Sequence, residues 1–298
     1  MEAIQKTFIP GTEWVYFKIY MGIKSSDSII SNELFSIIKY LEHKALIKKW
    51  FFIRYNDPHH HIRVRLLVNN PEEIGKIICL FSKQFAKPIQ NKLIWNIQLD
   101  TYQRELERYG NHLIEYAESF FYINSKYIQD IIRKISARKE ENYRWMIALK
   151  MIDVFLSDFK FSLGIKHSLL DSLSRSFKSE FGFDEHNARV FNSKFRKNKK
   201  TIEAVLHNTL NDNFFNELNI ILKQHSQETF KIVVLLHAAM KKNSAGKNIY
   251  DLVFSYIHMM LNRLFLTENR KCELIIYDYM RRFYASEIAK IKYQSLAQ

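Results

Sequence analysis

Apolar and polar positions follow two different periods along this chain, and the change from one to the other falls near residue 105. Alternation with a period of two marks a half-buried strand, and a period near 3.6 marks a helix. On that basis Trp14 to Gly22 reads as a strand from its aromatic and β-branched content, and Ser31 to His43 as a helix. Trp50 to Tyr55 and His60 to Val68 read as two strands joined by the turn Asn56, Asp57, Pro58, His59. Pro71, Glu72 and Glu73 open a second helix that runs towards Phe85, with proline early and acids in the first turn, and Ile94 to Leu99 forms a fourth strand. The order βαββαβ is that of a ferredoxin-like, mostly antiparallel sheet with its helices on one face.

From Glu105 onward glycine and proline almost vanish and helical periodicity takes over, through Tyr116 to Phe121, Tyr127 to Ile135, Trp145 to Phe161, Phe214 to Leu222 and Ile249 to Phe265. The expected architecture is α+β. A ferredoxin-like sheet subregion, 1–104, packs against a mainly α-helical subregion, 105–298, as one domain, with Lys194 to Lys200 as an exposed interruption between helices.

Composition narrows the function classes. A length of 298 residues suffices for a substantial core. Cys79 and Cys272 lie far apart with no CxxC or Cys/His spacing, so neither a disulfide framework nor a zinc site is suggested. Cys79, inside the apolar run Ile77 to Phe81, is expected to be buried. No segment approaches the ~20 apolar residues of a membrane span and the N-terminus lacks the pattern of a signal peptide, which points to a soluble cytoplasmic protein. The net charge of +14 invites nucleic acid as a partner. No nucleic-acid motif accompanies it, and lysines such as Lys197, Lys199, Lys200, Lys241 and Lys242 sit in polar stretches that read as solvated surface.

The hairpin WFFIRYNDPHHHIRVR carries the most chemistry. On its second strand His61, Arg63 and Arg65 share one face, and Ile62, Val64, Leu66 and Val68 share the other, which must meet the helices. With a four-residue turn, Tyr55 pairs with His60, Arg54 stands opposite His61, Phe52 opposite Arg63 and Trp50 opposite Arg65. An arginine row interleaved with aromatics results, suited to carboxylates because a guanidinium donates two parallel charge-assisted hydrogen bonds and stacks on rings. The bland alternative is a solvated sheet face. His59, His60 and His61 are adjacent, but alternation separates their side chains, so no shared metal is expected.

In YQRELERYG, Glu105 with Arg108 and Arg104 with Glu107 are i,i+3 pairs that need be no more than surface ion pairs. In DLVFSYIHMMLNR, apolar residues surround His258 on nearly every side, so its helix is expected to be buried, with Ser255, His258 and Asn262 on one stripe. A buried polar stripe must be hydrogen-bonded or functional. A satisfied core histidine is the default, and proton transfer near neutral pH is the alternative.

With these residues in view, the chain resembles the C-terminal elimination domain of nisin-type class I lanthipeptide dehydratases, a domain also found alone in thiopeptide-type and split lanthipeptide pathways. The motifs FIRYxDPxxHIRxR, YxRExxRYG and SxxHMxxNR occur here in the family's order, and the likeness spans nearly the whole chain. Asn111 stands where the family often has a second glycine. In that family a separate region uses glutamyl-tRNA to esterify Ser and Thr of a precursor peptide, and this domain expels glutamate to leave dehydroalanine or dehydrobutyrine. The resemblance implies that Arg65, Arg108 and His258 are catalytic. Arg63 and Glu105 also fall on family positions and would bind substrate; Arg54, Asn262 and Arg263, which stand in the same motifs, are further substrate-binding candidates, with Asn262 also fixing the His258 ring; no metal or cofactor is implied.

The glutamylation region has no counterpart here, so the implied partners are a precursor peptide, with its leader and glutamylated core, and a separate tRNA-dependent glutamylating subunit. Direct tRNA contact is not expected, and a homodimer is left open. The resemblance leaves alternatives: thiopeptide pyridine synthases, which join two dehydroalanines by a formal [4+2] cycloaddition, and a noncatalytic scaffold that delivers precursor peptide.

Overall fold

The structure, a computed structural model, describes residues 4–242 and 246–296. The elements in chain order are β1 (Thr7–Phe8), β2 (Trp14–Met21), α1 (Ile23–Ile29), α2 (Phe35–His43), β3 (Ile47–Asn56), β4 (His60–Val68), α3 (Ile74–Gln90), β5 (Ile94–Asp100) and β6 (Tyr102–Gln103). Helices follow: α4 (Leu106–Tyr109), α5 (Ile114–Arg138), α6 (Tyr143–Asp158), α7 (Leu163–Glu180), α8 (Glu185–Leu206), α9 (Asn213–Lys242), α10 (Ile249–Leu264) and α11 (Asn269–Leu296). The architecture is α+β, with a small antiparallel sheet in the N-terminal part and helices after it.

The chain divides into two compact units, one formed by residues 1–141 with 231–267 and the other by 142–230 with 268–298. Helices α4, α5 and α10 fall in the same unit as the sheet. In the second unit α7 and α11 pack against each other, and the buried Asp278 carboxylate accepts from Lys178 and Arg282, each at 2.6 Å.

The 4-stranded sheet has the order β3-β4-β2-β5, with every neighbouring pair antiparallel. On one face Phe17, Ile19, Ile62, Val64 and Leu66 are buried, and the Phe17 ring stacks on Phe81 of α3 at 4.2 Å. The opposite face carries Tyr16, Lys18, Arg63, Arg65 and Phe51, in register across the strands.

The hairpin loop is one residue shorter than the sequence suggested. Asn56 pairs with His60 and Tyr55 with His61, so the loop is Asp57, Pro58 and His59. A one-residue slip moves every side chain of a strand to the other face. Arg65 therefore stands opposite Phe51 and Arg63 opposite Ile53, while Arg54, with Phe52 and Trp50, turns to the helix-covered face.

Being outermost, β3 presents backbone groups that no strand pairs. Phe52 N donates to Ser125 Oγ of α5 at 3.1 Å. Asn262 of α10 clasps Arg54, its Oδ1 accepting from the amide and its Nδ2 donating to the carbonyl, both at 3.0 Å. These bonds seat α5 and α10 along the sheet edge, which brings the third sequence motif to the first.

Other expectations are corrected. The first helix begins at Ile23 rather than Ser31, because Ser25 to Ser28 look like a polar loop yet Ser26 and Asp27 are buried. Cys79 is exposed: α3 buries Ile74, Ile77, Phe81 and Phe85, and residue 79 lies off that stripe. Lys194 to Lys200 is exposed but lies inside α8 and breaks nothing. β1 and β6, a two-residue ribbon pairing Phe8 with Tyr102, are too short to show a period.

Candidate functional site

Aromatic rings hold the Arg65 guanidinium on the open sheet face. Its central carbon lies 4.5 Å from the Tyr16 ring centroid, 4.9 Å from Tyr102 and 5.4 Å from Phe51. The cage is fixed from behind, since the Tyr102 hydroxyl donates to Glu118 Oε1 at 2.9 Å and Arg104 grips both oxygens of the same carboxylate at 2.7 and 2.8 Å. Burial holds the Tyr102 hydroxyl well above its ordinary range, so that ring remains a neutral donor. Arg65 Nε itself is buried with no hydrogen-bond partner.

Beside it, Arg63 stacks on Tyr55 at 3.4 Å, and its Nε donates to His61 Nε2 at 3.0 Å. His61 Nδ1 then donates to the His59 carbonyl at 2.7 Å. Burial pushes His61 below the ordinary histidine range, against the opposing pull of that carbonyl, which suits a neutral ring accepting from Arg63.

A third guanidinium closes the interior side. Arg263, at the end of α10, is 0% exposed; Nε donates to Ser125 Oγ at 3.1 Å and Nη1 to the Met259 carbonyl at 2.7 Å, while Nη2 has no partner. It lies 5.0 Å from the Phe121 ring, and Phe121 is 5.4 Å from Phe51 of the Arg65 cage. Burial pushes Arg263 down to about 9, with Tyr109 opposing and Arg65 adding to the fall. Tyr109 meets Phe121 edge-on at 5.4 Å and stacks on Tyr256 of α10 at 5.8 Å.

Arg108 and Glu105 stand on the exposed side of this assembly. They form an ion pair at 3.2 Å with side chains 50% and 58% exposed. Arg108 adjoins Tyr109 in sequence and hydrogen-bonds its side chain. His258 is half-buried on α10, one turn before Asn262.

The structure thus brings Arg65 and Arg263 to a shared aromatic framework, ties Arg108 to it through Tyr109, and sets Arg63 beside Arg65 on the same strand face. Arg54 is not part of it. Its guanidinium faces the helices and bonds Asp27 at 2.5 Å, Ser26 at 2.7 Å and the Arg263 carbonyl at 3.0 Å. Asn262 meets the Arg54 backbone at each end of its amide. The residues that sequence reasoning missed are Tyr16, Phe51, Tyr102, Phe121 and Glu118; only Tyr102 carried a signal, as an aromatic flanking the charges of its motif. Among the described residues no group of three or more His, Cys, Asp or Glu is placed to hold a metal, and no helix is long and apolar enough to cross a membrane.

The α+β fold carries an arginine-bearing sheet face whose edge strand holds α5 and α10, and comparison with known proteins identifies its family. The family model "Lantibiotic biosynthesis dehydratase C-term" matches residues 14–284, and the chain belongs to that family. It is 26% identical over 295 residues to the nisin biosynthesis protein NisB of Lactococcus lactis subsp. lactis, covering 95% of this chain and 26% of the relative. It is 25% identical over 295 residues to the subtilin biosynthesis protein SpaB of Bacillus subtilis, with the same coverage of each. The chain spans about a quarter of the length of these curated relatives.

Among solved structures, the tRNA-dependent lantibiotic dehydratase MibB from Microbispora sp. 107891 superposes with a TM-score of 0.69 at 17% identity, over 91% of this chain and 28% of that one. The pyridine synthase TbtD, from thiomuracin biosynthesis, gives 0.68 at 12% identity, over 92% of this chain and 99% of that one. Both show a shared fold.

Proposed function

We propose that this protein is a carbon–oxygen lyase that eliminates glutamate from glutamylated Ser or Thr of a ribosomally made precursor peptide, leaving dehydroalanine or dehydrobutyrine. The observation that carries the reading is a contrast among arginines. Arg54, Arg104 and Arg108 each hold a carboxylate of this chain, whereas Arg63, Arg65 and Arg263 make no ion pair among the described residues. Guanidinium groups held on aromatic faces without a counter-charge are prepared for an anionic ligand.

In the reaction a base removes the peptide Cα proton, its electron pair becomes the Cα–Cβ double bond, and the Cβ–O bond breaks so that glutamate leaves as a carboxylate. Arg65 and Arg108 hold the glutamyl group and stabilise the charge that develops on the departing oxygen, with Arg63 supporting substrate and Glu105 orienting Arg108. His258 carries the proton. Arg54 and Asn262 contribute by fixing the edge strand and α10, not by touching substrate. The partners under this reading are the precursor peptide and a separate tRNA-dependent glutamylating protein. The strand order supports assigning the sheet to the ferredoxin-like arrangement.

Replacing Arg65 or His258 by Ala in cells that carry the pathway is expected to leave glutamylated peptide accumulating. Normal dehydration by both variants would remove those residues from the chemistry. The full-length superposition on TbtD favours one second reading, a [4+2] pyridine synthase. Mass spectrometry decides between them: a pyridine-containing macrocycle with release of leader peptide supports the second, and dehydrated linear peptide the first.

A further inference from the structure

We infer that Arg263 is the specificity-determining residue of this site: it receives the free side-chain carboxylate of the glutamyl group and so selects glutamyl over glutaminyl esters. This rests on the elimination reading and moves the anion anchor inward from Arg108. An ester made through the α-carboxyl leaves the side-chain carboxylate as the ligand's charged end.

Arg108 is a poor candidate for that end, being half-exposed and already paired with Glu105 at 3.2 Å. Arg263 has the opposite situation. Two of its nitrogens are fixed, Nε by Ser125 Oγ and Nη1 by the Met259 carbonyl, and Ser125 is itself anchored by the Phe52 amide. Nη2 is left buried with no acceptor. An unsatisfied buried donor costs roughly 1–3 kcal/mol and an unpaired buried charge more, so such a group calls for a ligand.

The second unpartnered nitrogen, Arg65 Nε, lies across one pair of rings. Phe51 packs on Arg65 and Phe121 on Arg263, with 5.4 Å between the two ring centroids. A carboxylate, which offers about four lone-pair positions, has the acceptor capacity for Nη2 and supplies the missing counter-charge. Burial and Arg65 both push Arg263 below the ordinary arginine range, the direction expected of a cation that lacks its counter-ion. A carboxamide can accept from Nη2 through its one oxygen but brings no charge. A buried cation that gains a counter-charge from one ligand and none from the other discriminates against the neutral one.

The test compares kcat/KM for the same peptide carrying a glutamyl or a glutaminyl ester. The wild-type chain is expected to prefer the glutamyl ester by about 100-fold or more. Arg263→Gln, shown to be folded by circular dichroism, should bring the ratio to within about fivefold of unity, Arg263→Lys should restore part of it, and Arg108→Ala should keep it whatever its effect on rate. A folded R263Q protein with the wild-type ratio, a wild type with no preference, or loss of the ratio in R108A overturns the inference. If neither Arg263 variant folds, R108A decides: a retained ratio supports the inner anchor and a lost ratio refutes it.

If the wild type consumes neither ester, the elimination reading fails, and the anion site is judged by melting temperature alone. Free glutamate, but not glutamine, should raise the melting temperature of the wild type and not of R263Q. Equal responses to the two amino acids, or equal responses of the two proteins, count against it.

Discussion

Replacing Arg54 by Met removes a buried guanidinium while keeping most of its aliphatic volume, and the result separates a fold residue from a substrate residue. The Arg54 and Asp27 side chains are 2% and 10% exposed, and the same guanidinium also bonds Ser26 and the Arg263 carbonyl. Removing one partner of a buried ion pair strands the other charge, at a typical cost of about 3–5 kcal/mol. The loss should appear as a lowered urea midpoint followed by tryptophan fluorescence. A double variant, Arg54→Met with Asp27→Leu, should recover much of it, because no charge is left stranded. An R54M protein within about 1 kcal/mol of wild type that has nonetheless lost glutamate elimination would refute this assignment and return Arg54 to the substrate.

Further expectations follow from the edge strand and the arginine cage. Asn262→Asp keeps the acceptor for the Arg54 amide but sets a second oxygen against the Arg54 carbonyl; a stability loss of about 1–3 kcal/mol is expected, and an unchanged melting curve would contradict the clasp. Tyr102→Phe frees the back of the Arg65 cage from Glu118 while Arg104 keeps its own grip, so kcat should fall by about 10-fold with an unaltered circular dichroism spectrum, whereas a wild-type kcat would deny Tyr102 a positioning role. Burial, reinforced by Arg54, lowers His60 from 6.5 to about 4, so the native state binds fewer protons than the unfolded chain between those values. Its contribution to stability is therefore present above about pH 6.5 and lost as pH falls towards about 4. His60→Gln should narrow its stability gap to wild type across that window; a gap independent of pH would be the contrary result.

How much was legible in the sequence depends on which physical signal each residue left. The strand His60–Val68 was readable to the residue, because every second side chain is apolar. The strand before it was readable in kind but not in register, since one residue more or less in the loop leaves its composition unchanged while reversing its faces. That is why Arg54 looked like a member of the arginine row. The α10 stripe was visible from its spacing, yet a buried arginine carries no mark of its burial in the sequence: Arg263 sits next to Asn262 in a motif, and only packing against Phe121 and Ser125 shows that Nη2 is left over. The cage residues Tyr16 and Phe51 lie on strands that any sheet core would populate with aromatics. Their meeting at Arg65 is a property of strand order, which no local pattern encodes.

The most direct measurement is glutamate release by the purified chain from a precursor peptide bearing a Ser or Thr glutamyl ester, followed together with peptide mass. The account predicts free glutamate in step with a peptide lighter by one glutamate, and loss of both in the Arg65→Ala protein. An ester that persists with a peptide that a competent family enzyme consumes, or release that gives back the unmodified hydroxyl rather than the dehydroamino acid, would contradict it.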